Sequence, residues 1–325
     1  MTAFEGKKIL VTGATGLVCS HLVEALMKNS VAKIYVLGRN LKKLQSVFGK
    51  YLDNKRIELI AQDVSAPIEI EEPLDYIFHG AGPIDSVTIR EKPVDVIMPN
   101  IIGLLNCCKL AKSQNKKCTI VVFSSATVYE NKKGEKVTEE SSLQVVQLND
   151  NNVAYSQSKI MQEILAKAMI RQYNLSIKIV RLSYVYGSSY FKPNTAFYQF
   201  LDTLKKGENI FMNNSGLPKR DNIFVDDAVS GLLTVAAKGT SGEVYNISSG
   251  GDGDNYAAID EIAQIMITLY SEKHKNPVRL MYKSEVQERI DGLILDNSKL
   301  KKLGWSPKVS LTEGLRDVLK FYGVI

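Results

Sequence analysis

The chain is poor in the residues that build metal centres and disulfide frameworks. It has three histidines and four cysteines in 325 residues. Cys19, Cys107, Cys108 and Cys118 form no C-x-x-C pair and no zinc-ligand spacing, so no metal site is expected and the thiols read as reduced, buried small hydrophobes. No run of eighteen apolar residues occurs, and no long apolar segment precedes the first strand pattern. Neither a membrane span nor a signal peptide is indicated, and a cytoplasmic location is expected. Charge is not strongly one-sided: 41 basic against 35 acidic residues give a net +6. The lysines come in scattered pairs such as Lys42-Lys43, Lys116-Lys117 and Lys301-Lys302, not in one stripe with interleaved aromatics. That distribution argues against a nucleic-acid partner, while a modest positive field suits an anionic small molecule. There is no internal repeat and no low-complexity segment.

What is present is a chain able to bury a sizeable core, with 45% hydrophobic and 23% charged residues. Short apolar runs at 34–37, 57–60, 76–79, 120–124 and 177–180 alternate with helical patterns. The intervals leave room for crossover helices, which predicts an α/β fold with a doubly wound parallel sheet. From about residue 181 the pattern loosens, punctuated by Pro193, Pro218, Gly250 to Gly253 and Pro277. These shorter elements are expected to form a smaller C-terminal α/β substrate lobe, dividing the chain into 1–180 and 181–325.

Two motifs carry chemistry. Lys8 to Thr12 reads as a buried strand, and Gly13-Ala-Thr15-Gly16-Leu17-Val18-Cys19 turns from it into a helix beginning near Leu17. Strand, glycine turn and helix N-terminus form a cradle for a pyrophosphate, whose charge the free N–H groups and helix dipole favour. The second motif pairs Tyr155 with Lys159, four positions apart and therefore on one helix face. A neighbouring ammonium is expected to lower the phenol's pKa, and Ser125, ending a strand across the site, to bridge the phenol to a substrate hydroxyl. Together the three would take a proton from an alcohol while a cofactor takes the hydride.

The order T-G-A-T-G, H-G-A-G at 79–82, S-S-A-T-V-Y at 124–129 and Y-S-Q-S-K at 155–159 resembles the extended short-chain dehydrogenase/reductases that act on nucleotide sugars. The likeness continues through Val180 to Gly187, through Arg220-Asp-Asn-Ile-Phe-Val225-Asp226-Asp227, and through Leu303-Gly304-Trp305-Ser-Pro307, nearly the whole chain. It implies a Rossmann-type sheet, with elements of the second half returning to the first domain, and a homodimer paired through helices near 94–113 and 154–173.

The resemblance also implies a residue set. Ser125, Tyr155 and Lys159 are the catalytic candidates. Gly13, Thr15, Gly16, Leu17, Val18, Arg39, Asn40, Asp63, Val64, Gly80, Ala81, Gly82, Asn100, Ser124, Tyr155 and Lys159 are the cofactor candidates. Where NAD-dependent members carry an acid after the second strand, this chain has Gly38-Arg39-Asn40, so NADP is favoured and NAD kept as possible. Asp63 is equally readable as a turn acid, and Asn100 as a polar residue at a helix kink. His79 reads as a packed residue with no catalytic role. For the substrate, a nucleotide-diphosphate sugar, Arg220 is the phosphate candidate, Arg289 a second and Tyr184 a third, while Asp226 and Asp227 are expected to cap the helix beginning near Ala228.

Dehydratases and decarboxylases of the family place acids just after the Ser/Thr, where this chain has Ala126 and Thr127, so the form resembles that of the UDP-galactose 4-epimerases. An epimerase acting through a transient 4-keto sugar is therefore expected. The alternatives are an NADPH-dependent 4-keto reductase, a dehydratase or decarboxylase, and last a non-catalytic dinucleotide-binding regulator. Several positions depart from the family. Cys19 replaces the third glycine, Tyr184 stands where an asparagine is common, and Glu130 follows V-Y in place of glycine. Leu143 to Asn152 and Pro83 to Pro93 look more like the UDP-glucuronate decarboxylases.

Overall fold

The computed structural model describes all residues except 1–2, 52, 115–116, 131–133, 147, 149–152, 194, 213–217 and 284–290. Seven short segments form one sheet: β1 (Lys8–Thr12), β2 (Lys33–Gly38), β3 (Ile57–Ala61), β4 (Tyr76–His79), β5 (Thr119–Ser125), β6 (Ser176–Leu182) and β7 (Val244–Ile247). Their spatial order is β3-β2-β1-β4-β5-β6-β7, and every neighbouring pair is parallel. The order reverses between β1 and β4, which opens a crevice at the carboxyl ends of those strands.

The sheet is covered on both faces, and side-chain alternation shows why its strands are so apolar. Ile9, Val11, Ile34, Val36, Phe78, Val121, Phe123 and Val180 point into one core. The alternate residues Leu10, Tyr35, Leu37, Ile77, Ile120, Val122, Ile177 and Ile179 point into the other. A fully buried side chain of this size contributes about 1.5–3 kcal/mol, so these two layers hold the strand ends from which the site is built. β7 belongs to the second half of the sequence yet completes this sheet by pairing with β6.

The segment from Pro93 to Ser113 is one helical run in three parts: α-helix Pro93–Met98, a π-helical turn Pro99–Gly103, and α-helix Leu104–Ser113. By length and composition it could cross a membrane, a property the sequence reading did not anticipate. In its last part Leu104, Cys107, Cys108, Leu110 and Ala111 are buried in the core between sheet and helices, while Val94, Ile97 and Met98 in its first part are exposed. All four cysteines are free and buried.

Smaller sheets are formed mainly by strands of the second half of the chain. Tyr184–Tyr186 runs parallel to Arg220–Phe224, which pairs antiparallel with Tyr256–Ala257. The helix Val225–Lys238 follows at once, three residues earlier than the sequence suggested. Asp226 and Asp227 therefore sit in its first turn and are not its caps; Phe224 is the N-cap residue. Asp227 instead accepts hydrogen bonds from the backbone N–H groups of Lys308 and Val309, both at 2.8 Å, while the indole N–H of Trp305 donates to Ser230 Oγ at 2.8 Å. The Leu-Gly-Trp segment is thus a strap across this helix.

Candidate active site

The glycine turn after β1 is shaped by two close approaches. Gly13 has φ +67°, and a Cβ there would lie 2.7 Å from Ala81 Cα, so the turn and the loop after β4 touch backbone to backbone. Gly16 is the N-cap of the helix Leu17–Lys28, its N–H bonded to the Gly13 carbonyl at 2.9 Å. The helix start has no side-chain cap and no acidic residue in its first turn. It presents backbone N–H groups and the positive end of its dipole with nothing anionic to oppose a phosphate. The cradle fits a dinucleotide.

Cys19 fills the place of the expected third glycine and does so without spoiling the cradle. Its thiol donates to the Thr12 carbonyl at 3.5 Å and abuts Gly80, which has no side chain to collide with it. Burial pushes the thiol up to about 12, which keeps it protonated. His79 is fully buried and its Nδ1 pairs with Thr12 Oγ1 at 3.0 Å, while Ala81 N–H donates to the same hydroxyl at 3.3 Å. Burial, with Lys159 adding to it, holds the imidazole down to about 3, so it is a neutral structural bridge between β1 and β4.

At the end of β2, Arg39 is exposed. Asn40 caps the helix Leu41–Phe48, accepting from Lys43 N–H at 3.0 Å. Asp63 makes a turn, accepting from Ser65 N–H at 2.8 Å, and Val64 is buried beside Gly103. Asn100 lies in the π-helical turn. Its amide donates to Val96 O and to Ser158 Oγ, both at 2.9 Å, and its Oδ1 faces Gly82. It ties the loop after β4 to the helix Val153–Tyr173.

That helix carries an unusual buried face for its first half: Ser156, Ser158, Lys159, Gln162 and Glu163 are all inside. Tyr155 is hydrogen-bonded to Ser125, and Thr127 Oγ1 donates to Ser125 Oγ at 3.0 Å. Lys159 is hydrogen-bonded away from the phenol that it is expected to serve. Its ammonium is drawn to the Phe123 carbonyl at 2.7 Å and to Gln162 Oε1 at 3.3 Å, and burial holds it down to about 8 against the attraction of Glu163. Burial raises the Tyr155 phenol, and Ser125, not Lys159, is the neighbour that opposes the rise. Ser124 turns away from the crevice and donates to Glu163. Sequence reasoning missed Glu163, although it repeats the four-residue spacing beyond Lys159.

In the lobe, Tyr184 and Arg220 come together on adjacent strands, with the Arg220 guanidinium 4.7 Å over the Tyr184 ring. Arg289 lies outside the described residues. The lobe meets the cofactor helix through His21, which bonds Asp226 Oδ1 at 3.0 Å and the Ser188 carbonyl at 2.9 Å. Among the described residues no cluster of three or more metal-binding side chains occurs.

A crevice of this kind, with a dinucleotide cradle on one wall and a Ser-Tyr-Lys trio on the other, defines an extended short-chain dehydrogenase/reductase. Residues 9–248 match the NAD dependent epimerase/dehydratase family, and the chain belongs to that enzyme family. UDP-glucuronic acid decarboxylase 6 of Arabidopsis thaliana is 28% identical over 310 residues, which cover 95% of this chain and 86% of the relative. dTDP-D-glucose 4,6-dehydratase of Mus musculus is 25% identical over 335 residues, covering 97% and 88%. The solved structure of UDP-glucuronic acid 4-epimerase from Bacillus cereus, in complex with UDP-glucuronic acid and NAD, matches the fold with a TM-score of 0.78 at 24% identity, covering 97% of this chain and 99% of that one.

Proposed function

We propose that the protein is a nucleotide-sugar epimerase acting through a transient 4-keto sugar. The observation that carries this reading is the composition of the positions after Ser125. Ala126 is aliphatic and Thr127 spends its hydroxyl on Ser125, so neither offers the carboxylate that a second proton transfer during elimination would use. Burial favours the neutral phenol, so Tyr155 accepts the proton of a sugar hydroxyl only when ionised beside the positive charge of a bound nicotinamide, while Ser125 positions that oxygen and Lys159 holds the end of β5 through the Phe123 carbonyl. The nicotinamide, when bound, supplies reversible hydride acceptance. Gly13, Thr15, Gly16, Leu17 and Val18 would hold the pyrophosphate, and Tyr184 with Arg220 the substrate's diphosphate.

We assign the cofactor as NADP, because an exposed Arg39 stands where a carboxylate would be needed to select an unphosphorylated ribose. The same observation favours a second reading, an NADPH-dependent 4-keto nucleotide-sugar reductase. Proton NMR of a panel of UDP- and dTDP-sugars after incubation with enzyme decides among them. Inversion at C4 with no net cofactor consumption is expected. Loss of water or of a carboxylate would overturn the epimerase assignment, and stoichiometric NADPH oxidation with a 4-keto sugar would establish the reductase. A Tyr155→Phe variant should lose about 10²–10⁴-fold in kcat. Retained activity would mean another group handles the proton.

The helices Pro93–Met98 and Val153–Tyr173 pack together and leave Val94, Ile97, Met98, Met161 and Ile164 exposed on their outer side. We assign this face to a homodimer contact. Sedimentation as a dimer at micromolar concentration, lost in an Ile97→Asp/Ile164→Asp variant, is the expected result.

A further inference from the structure

One acidic side chain shares the helix face of Tyr155 and Lys159. Glu163 stands one turn beyond Lys159 and is 6% exposed. Its Oε1 accepts from Ser124 Oγ at 2.5 Å and from Arg181 Nε at 3.0 Å, and its Oε2 accepts from Arg181 Nη2 at 2.7 Å. Arg181, on β6, also donates to the Glu139 carbonyl at 3.0 Å and lies 4.6 Å over the Tyr129 ring. The carboxylate is therefore fixed by a two-pronged clamp on one side and joined on the other to the residue preceding Ser125.

A buried ion pair is a poor way to gain stability, because desolvation offsets most of its attraction and an apolar pair of equal volume does as well or better. The position of this one gives it a task. We propose that Glu163 is a positioning residue of the site, whose clamped carboxylate holds the end of β5 through Ser124 and supplies the negative charge that keeps the buried Lys159 an ammonium. The inference rests on reading Ser125, Tyr155 and Lys159 as the proton-handling trio.

The groups that face this region are few. Lys159 and Tyr155 come from the same helix, Ser124 and Ser125 from β5, Arg181 from β6, His79 from β4 and Cys19 from the helix Leu17–Lys28, with Tyr129 and Glu139 beyond Arg181. His79 is neutral and adds nothing favourable, and the Cys19 thiol stays protonated. Glu163 is thus the one standing anion among the described groups that acts on Lys159. With it Lys159 rests at about 8; without it the ammonium would give up its proton more readily still.

The test is a direct titration of Lys159 by NMR in the full-length, cofactor-free protein, with Lys159→Met used to assign the signal. In Glu163→Gln, which keeps the side-chain shape, the Lys159 midpoint should fall by about one pH unit or more. A folded Glu163→Gln protein with an unmoved midpoint overturns the proposal. If Arg181 left unpaired prevents folding, the fall is read between Arg181→Met and Glu163→Gln/Arg181→Met, which differ only in the carboxylate, and its presence or absence decides. The readout is independent of turnover. Wild type inactive on every nucleotide sugar, with the midpoint still falling in the variant, would refute the enzymatic reading and leave the role of Glu163 standing. Active wild type with an unmoved midpoint would refute Glu163 alone.

Discussion

Cys19 and Gly80 divide between them a space that admits only one side chain: the sulfur of the first occupies the volume a methyl group on the second would need. The glycine that the motif lacks on the helix is found on the facing loop. Gly80→Ala should therefore destabilise the protein by about 1–3 kcal/mol through overpacking and weaken dinucleotide binding. Adding Cys19→Gly should restore part of both, the remainder being lost to Phe123, which lines the same space. Thermal melts and cofactor titrations of the two variants and their combination check this; no rescue would mean the two sites are not coupled.

Lys159 is expected to lower stability while it serves the site. Its folded value of about 8 lies below its ordinary 10.5. The unfolded chain therefore binds the proton more tightly, and the cost is fully present below about pH 8 and vanishes as pH approaches 10.5. Lys159→Met removes that cost but leaves the Phe123 carbonyl without its donor, for a net gain of about 1 kcal/mol at pH 7. Melts should show the variant more stable than wild type at pH 7 and no better at pH 10, with activity lost throughout.

The contact between the cofactor helix and the lobe should depend on pH. Burial alone would lower His21, but Asp226 and the Ser188 carbonyl raise it above its ordinary 6.5, and His21 lowers Asp226. The histidine's contribution is fully present below pH 6.5 and is lost as pH rises through the raised folded value. The aspartate's is present above about 4 and is lost as pH falls through its depressed folded value. Because Asp226 is 68% exposed, solvent screening limits the pair to about 0.5–1 kcal/mol. The destabilisation caused by His21→Leu should be larger at pH 5.5 than at pH 9; equal losses at both would show that packing, not charge, joins these elements.

Arg220 is held over Tyr184 in a geometry that a lysine cannot reproduce. Arg220→Lys should weaken UDP binding, measured by calorimetry, by about 5- to 50-fold, while leaving the melting temperature of this exposed position unchanged. Undiminished affinity would move the diphosphate contact elsewhere.

Much of this architecture was legible because its causes are local. The runs that became β1 to β6 lie within a few residues of their expected bounds, since the inner strands are buried on both faces and so rich in apolar residues. Tyr155 and Ser125 were found by spacing and do meet. What the sequence hid is relational. The Lys159 ammonium was expected at the phenol, but the carbonyl of Phe123 competes for it. Asp226 and Asp227 read as caps because the helix start was placed too late, whereas Asp227 pins a segment some eighty positions away. Glu163 drew no reading from the sequence, because its partners Ser124 and Arg181 reach it only through β5 and β6.

The seventh strand has a consequence for how the molecule is made. Val244–Ile247 reaches the sheet only after residues 183–243 have been synthesised, and Asn246 within it then takes a hydrogen bond from the Tyr129 hydroxyl at 2.6 Å and gives its N–H to Glu139 Oε1 at 2.8 Å. A ribosome releasing this chain holds an incomplete sheet, with β6 as an open hydrogen-bonding edge, for the whole passage from residue 183 to residue 243. Cutting the chain after β6 would leave that edge open to another chain, because β7 is the strand that pairs with it.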